Sequence, residues 1–485
     1  MNSTPPTVAA HLADWAVSLT LQDVPPSAQD AACRHLLDGL AVALGALGTG
    51  AAAPALTVAG GLGGPAEATL LGTGRRLGAP AAAFATGALV HALDFDDTHA
   101  EGLVHATAVT LPAALAVGEQ VGATGAQVLA AALVGYEVTC RVAAATPYGF
   151  HQRGIHATQA AGVVGATTVA ARLMGLDAAT TLHAMGIAGS SAGGLMEFLH
   201  TGSSTKQLHP GLASHAGILA ARLAAAGATG PDSVLDGAAG LWAALSDRPA
   251  DPARVLRELG QTWEVTRVTI KPYPACQLSH ATLDAVATVR DELLAAGGTA
   301  EIAEVVAFVH PDSAAIVCEP AADKVQPQTP YGAKFSLPWS VAALLVDGSV
   351  SIGTYDVASV GRPAVAELAA RVRTVLAPSR AVAADAAGRV VVRLRNGREL
   401  TGEVASSRGG PHAPLDDQAM LAKVLSLAGD SPAARQMAAT VHALADLPDL
   451  TALLDVIARA APAPVRTPSG APHDEKAGRS PGPGE

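Results

Sequence analysis

Nine of the sixteen histidines fall between His91 and His215, and the densest stretch, HALDFDDTHAEGLVHATA (His91 to Ala108), sets four carboxylates and two threonine hydroxyls among three of them. Side chains of these types take up and return protons near neutral pH, so the chemistry they offer is general acid–base work on a small molecule. Asp94 and Thr98 stand four residues apart, and a helix continued through Thr98 would place both on one face, aimed into a cleft. Asp94 and His105 are read as functional, whereas Asp96 and Asp97 are read as caps that accept backbone N–H bonds at a helix or turn. In GFHQRGIHATQAAGVVGA, His156 precedes a helix whose positive end would keep its imidazole neutral, and Gly162 and Gly165 would let another backbone or a ligand come close. A capping or core histidine fits that segment as well. HTGSSTKQLHPGLASHAG holds Lys206 among Ser203, Ser204, Thr205 and His209 in a small-residue loop that opens a helix, a cradle suited to a carboxylate or phosphate. It lacks the spacing of a nucleotide-binding P-loop. In TIKPYPACQLSH, Lys271 closes a strand at a domain junction, where clefts form, and His280 is read as packing at the start of the next helix. His183, His200 and His215 are read as ordinary core or surface histidines.

These residues need a scaffold, and its pattern is mostly helical. From Val8 to about Pro252 helix follows helix, with ends marked by Gly, Pro or Asp: Pro26 to Leu47, Ala81 to Leu93, Thr124 to Ala145 and Asp177 to Ala188. After Trp263 the runs VTRVTI, EIAEVVAFVH and RVVVRLRNGRELTGEV read as strands, and Asn396-Gly397 predicts a type I′ hairpin turn with positive φ at both residues. The expected fold class is mainly α, with a large helical domain over 1–264, a smaller α+β lid over 265–405, helices over 406–460 that return to the first domain, and a Pro/Gly-rich tail over 461–485 that lacks the apolar residues to order itself.

Composition narrows the function classes. A formal net charge of -11 with no basic run argues against nucleic acid or an anionic membrane as partner, while a few buried cations can still make a local site for a small carboxylate. Stretches such as Leu103 to Gly118 are too short and too interrupted to span a bilayer. Cys33, Cys140, Cys276 and Cys318 have no metal-ligand spacing, and the first basic residue is Arg34, so reduced thiols and a cytoplasmic location are expected. Only six of the 31 basic residues are lysines, which leaves surface charge to arginine and singles out each lysine.

Taken in order, HALDFDDTH with the second histidine, GYEV with an arginine after it, GFH with the His156 helix, GSSTKQLHPG, KPYP and AKFSLPW resemble the 2-methylcitrate dehydratase (MmgE/PrpD) family over roughly residues 5 to 460. The family includes 2-methylcitrate dehydratase, cis-aconitate decarboxylase and iminodisuccinate epimerase. The resemblance implies a helical domain with an α+β lid, a cleft between them, a homodimer, and neither metal nor organic cofactor. It carries active-site roles onto Asp94, Thr98, His105, His156, Lys206 and Lys271, the residues singled out above. HATA stands where many members have His-Pro-Ser, and Cys276 stands where the decarboxylase branch has histidine, which speaks against decarboxylation.

The expected reaction is loss of water from a small di- or tricarboxylic acid, with epimerisation or decarboxylation as alternatives. Lys206 and Lys271 would stabilise charge on the carboxylate, His105 would move the proton, His156 would assist the leaving hydroxyl, Asp94 would fix an imidazole tautomer, and Thr98 and His209 would help bind substrate. Two rivals are a divalent-metal site at the DFDDTH aspartates acting on a diphosphate, and a non-catalytic helical binding protein.

Overall fold

The computed structural model describes residues 6–462; of the tail expected over 461–485, everything from 463 lies outside them. With 58% helix and few short strands, the class is mainly α. Helices start where the sequence supplies caps. Thr124 and Gln127 exchange hydrogen bonds at the head of Gly125–Ala144, Asp177 caps Ala178–Gly189, and proline sits in the first turn of Pro26–Thr49 and of Ala79–His91.

Because the apolar residues are small, helix backbones approach closely. A Cβ added at Gly87 would stand 2.7 Å from Gly211, where Ala79–His91 crosses His209–Ala225 backbone to backbone. Gly162 and Gly165 serve the same end, facing Val109 and Thr139 of neighbouring helices and no ligand pocket. Pro26–Thr49 and Gly125–Ala144 have the length and hydropathy of a membrane span, but 83% and 89% of those stretches are buried within the protein, which makes them core helices.

One hydrophobic cluster joins these helices with the C-terminal ones, including Asp417–Ala428 packed along Pro26–Thr49. A second gathers residues between Tyr273 and Leu400, joined by Ala100, Met196 and Phe198 from the helical part. Its sheet runs in the order Val372–Leu376, Ile302–Val309, Gly388–Leu394, Glu399–Val404, the first pair parallel and the others antiparallel, with helix His280–Ala295 packed against it.

Two local expectations fail here. VTRVTI contributes a short 3-10 turn and only the strand Val268–Thr269, which pairs outside the sheet with Thr98–His99. The hairpin at Asn396-Gly397 forms, but only Gly397 has positive φ (85°), and Gly397 N–H bonds Leu394 O. That is a three-residue loop with glycine closing a type I turn, in place of the two-residue type I′ turn.

Candidate active site

Helix Ala79–His91 stops at His91, and the chain turns at Asp94, whose φ of 51° is left-handed. Thr98 follows in a two-residue strand opposite Thr269. The shared helical face expected for Asp94 and Thr98 therefore does not exist; turn and strand bring both to one pocket instead. A left-handed backbone disfavours a residue with a Cβ by about 1–2 kcal/mol, and buried ammonium groups hold this one. Lys334 Nζ donates to Leu93 O (2.8 Å), Lys271 Nζ to Asp94 O (3.0 Å) and Lys423 Nζ to Phe95 O (2.9 Å), so three successive carbonyls each take a lysine. The scarcity of lysine in the sequence has its explanation here: Lys206, Lys271, Lys324, Lys334 and Lys423 are all buried.

One pocket is lined by Asp94, Thr98, His105, His156, Lys206 and Lys271, which converge from four separate segments. Lys206 Nζ lies 2.6 Å from Asp94 Oδ1, and Lys271 Nζ lies 3.4 Å from the same atom. Burial alone would raise the Asp94 carboxyl, but the two ammonium groups outweigh it and hold its pKa well below the usual carboxylate range. Asp94 thus pairs with lysines, and the expectation that it would fix an imidazole tautomer does not hold. That task falls to the Asp97 carbonyl, which takes the His105 Nδ1 hydrogen at 2.8 Å, with Thr98 Oγ1 at 3.3 Å. His105 Nε2 is left with its lone pair, 3.4 Å from Lys206 Nζ. Burial, then Lys206, push the His105 pKa well below that of a free imidazole, so the ring is neutral and able to accept a proton.

The Asp97 carboxylate accepts from Thr107 N (3.2 Å) in the first turn of Ala106–Val121, the capping role expected of it, and its other oxygen lies 2.8 Å from His35. Asp96 is no cap. It takes His91 Nδ1 at 2.7 Å and lies 3.5 Å from His105 Nδ1. His156 bonds Thr158 Oγ1 through Nε2 and His209 through Nδ1, both at 3.1 Å, and burial followed by Lys206 makes it neutral as well. His209, expected to help bind substrate, stands behind His156 and does not line the pocket, whereas His156 does. The loop expected to cradle an anion does not do so: Ser203, Ser204 and Thr205 are exposed, whereas Lys206 turns inward. His280 is buried against Ala275 O, away from the pocket. His183 and His215 bond the carbonyls of Gly230 and Pro80.

Sequence reasoning missed His91, Thr158, Lys334 and Lys423. Only the lysines carried a signal, their rarity. Donor nitrogens of His91, His105 and His156 lie within 4.8 Å of one another, a spacing that suits a metal, but the Lys206 ammonium 3.4 Å from His105 Nε2 opposes a cation there. The glutamate of GYEV and the arginine after it, Glu137 and Arg141, pair at 2.7 Å in the core, and Arg141 also holds the carbonyls of Val255, Arg257 and Thr262. Their place is the chain leading to Lys271, behind the pocket.

Residues 10–252 match the MmgE/PrpD N-terminal domain and residues 273–447 the MmgE/PrpD C-terminal domain. The chain belongs to the MmgE/PrpD family. Its similarity to the cis-aconitate decarboxylase of Aspergillus terreus (strain NIH 2624 / FGSC A1156) is 27% identity, covering 93% of this chain and 96% of that one. The cis-aconitate decarboxylase-like protein oryM of Aspergillus oryzae is 26% identical over 93% of this chain and 97% of its own length. The human cis-aconitate decarboxylase is 29% identical over 60% of each chain. The two matched parts of the chain between them supply every residue of the pocket but Lys271: Asp94 to Lys206 from the N-terminal domain and Cys276 to Phe335 from the C-terminal domain, with Lys271 in the connection.

Proposed function

We propose that this MmgE/PrpD chain is a lyase that breaks a C–H bond beside the carboxylate of a small acid and expels water from the neighbouring carbon. The observation that carries the reading is the neutral His105 Nε2 standing beside two buried ammonium groups that share one carboxylate. Removing a proton next to a carboxylate drives negative charge onto an anionic group, so preorganised cations lower the barrier there, by about 3–4 kcal/mol for each well-placed donor. His105 Nε2 takes the proton, the electron pair moves onto the carboxylate held by Lys206 and Lys271, and the carbon–oxygen bond on the next carbon breaks as the His105 imidazolium so formed returns that proton to the departing hydroxyl, with His156 lining the same pocket. The atoms balance as acid to unsaturated acid plus water, and general base catalysis by a positioned histidine contributes roughly 10²–10⁴-fold.

The names of the relatives favour a second reading on the same residues, in which carbon dioxide leaves and an imidazole protonates the carbanion. Cys276 on the pocket wall, where the resemblance expects histidine in the decarboxylase branch, counts against it. Proton NMR in deuterated buffer with a panel of small acids separates the two. Vinyl signals that vanish in His105→Ala support dehydration, deuterium uptake without new product points to epimerisation, and loss of a carboxylate carbon favours the second reading. No change in any acid sinks both.

A further inference from the structure

Three imidazoles line the pocket, and two of them are already engaged. His105 gives its Nδ1 hydrogen to the Asp97 carbonyl and keeps Nε2 for the proton, while His156 is held through both nitrogens by Thr158 and His209. The third is His151, in the short helix Gly149–Gln152, whose Nδ1 is buried and has no hydrogen-bond partner among the described residues. His151 also lines a second, larger groove that shares Met196, Leu199 and Ile316 with the pocket, so it stands where the two meet. A buried polar atom without a partner is costly, and backbone strain beside it keeps the ring in place. Tyr148, the residue before the short helix, has φ 62°, in the left-handed region that a bulky side chain disfavours. Its ring lies nearly parallel to His151, at 15° with centroids 5.9 Å apart. The Arg248 guanidinium sits 4.9 Å from the centre of the Tyr148 ring, and the Tyr148 hydroxyl donates to Asp312 O at 3.3 Å. Asp312 belongs to the α+β part and its carboxylate lies 3.2 Å from Arg248, so both parts of the chain hold His151 where it is. Local strain that buttresses an unpartnered polar group is the mark of a ligand contact.

We propose that His151 is a further substrate-binding residue, which donates an imidazole N–H to the carboxylate of the acid that Lys206 and Lys271 do not hold. This rests on the lyase reading and adds to it the residue that grips the far end of the substrate. The other neutral hydrogen-bonding side chains of the lining are less free to do so. Thr98 Oγ1 lies 3.3 Å from His105 Nδ1, the Gln277 amide donates to Ser407 Oγ at 3.0 Å, and the Cys276 thiol is a weak donor. Burial, followed by Lys206, pushes the His151 pKa down to about 3, so the ring is neutral and carries one N–H. The Lys206 ammonium is thus near enough to act on the ring, as the two ends of one short diacid require.

The test is isothermal titration of the native protein and of His151→Phe with two matched pairs, butanedioate against butanoate and hexanedioate against hexanoate. Phe keeps a flat ring to lie along Tyr148 and removes both nitrogens. The native protein is expected to bind at least one diacid more tightly than its monoacid. The variant should bind that diacid about tenfold or more weakly, the weight of a hydrogen bond to a charged group, and the monoacid as before. A variant that weakens both members of the pair equally, or neither, overturns the proposal, as does a native protein that prefers no diacid. His151→Ala serves the same comparison if the Phe variant does not fold, which its melting curve shows. None of the four acids has a hydroxyl to lose, so binding is read without turnover and the two readings fail separately. The diacid effect without proton exchange in any acid sinks the lyase and leaves the role of His151, whereas elimination whose KM is the same in His151→Phe does the reverse.

Discussion

Replacing Asp94 by Asn removes the one negative charge that two buried lysines share and changes little else. Asn is nearly the same size and tolerates the left-handed backbone at φ 51°. Lys206 and Lys271 are 4% and 0% exposed, at 2.6 and 3.4 Å from the lost charge, and no other carboxylate lines the pocket among the described residues. Removing one partner of a buried pair costs about 3–5 kcal/mol, and with two ammonium groups left facing each other we expect a loss at the upper end of that range. Asp94→Ala should lose about 1 kcal/mol more, from the backbone. The readout is the urea midpoint by circular dichroism, at several pH values, with and without a saturating carboxylate. The folded Asp94 pKa lies below its ordinary value of 3.8, so its contribution is complete above that value and is lost only as pH falls through the folded pKa. The deficit of the Asn variant should therefore be constant between about pH 5 and 8. A bound carboxylate should restore more stability to the variant than to the native protein, since it replaces the missing charge. A deficit under about 1 kcal/mol, or no differential rescue, would refute the view that Asp94 is the counter-ion of this pair.

His105→Gln should keep the fold and lower proton exchange beside the substrate carboxylate by roughly 10²–10⁴-fold, measured as deuterium uptake by NMR. Burial pushes His209 and His280 down to about 3; the unfolded chain then binds more protons below the ordinary value of 6.5, so stability falls with falling pH. Each such group adds about 1.4 kcal/mol per pH unit to the slope, and since burial lowers His105 and His156 as well, urea midpoints should show a slope of at least about 3 kcal/mol per pH unit below about pH 6. Burial likewise lowers Lys334 to about 7, so native stability should rise with pH between that value and the ordinary lysine pKa, and Lys334→Met should abolish the rise while loosening the Asp94 turn and slowing turnover. Gly87→Ala would drive a Cβ into the Gly211 backbone and should destabilise by about 1–3 kcal/mol, lowering the melting temperature and substrate affinity together, because the two helices it separates carry His91 and His209 and adjoin Lys206.

Much of the fold was legible because its signals are local. Thr124 with Gln127, Asp177, and the prolines of the first turns act within one helical turn, and the helices begin where these residues stand. The site residues could be named for the same reason, since proton-handling side chains crowd one segment and lysines are rare. Their relations could not be. Asp94 and Thr98 share a pocket by way of a turn and a strand pairing with Thr269, and the three lysines that hold the turn arrive from 177, 241 and 328 residues away. The sequence by itself determined which segments are helical and which side chains can move protons, because caps, hydropathy period and side-chain chemistry belong to neighbouring residues. Only the tertiary structure decided that Asp94 serves as counter-ion and that the Asp97 carbonyl sets the His105 tautomer. Charge pairing and desolvation depend on distance through the folded molecule, which position along the chain does not encode.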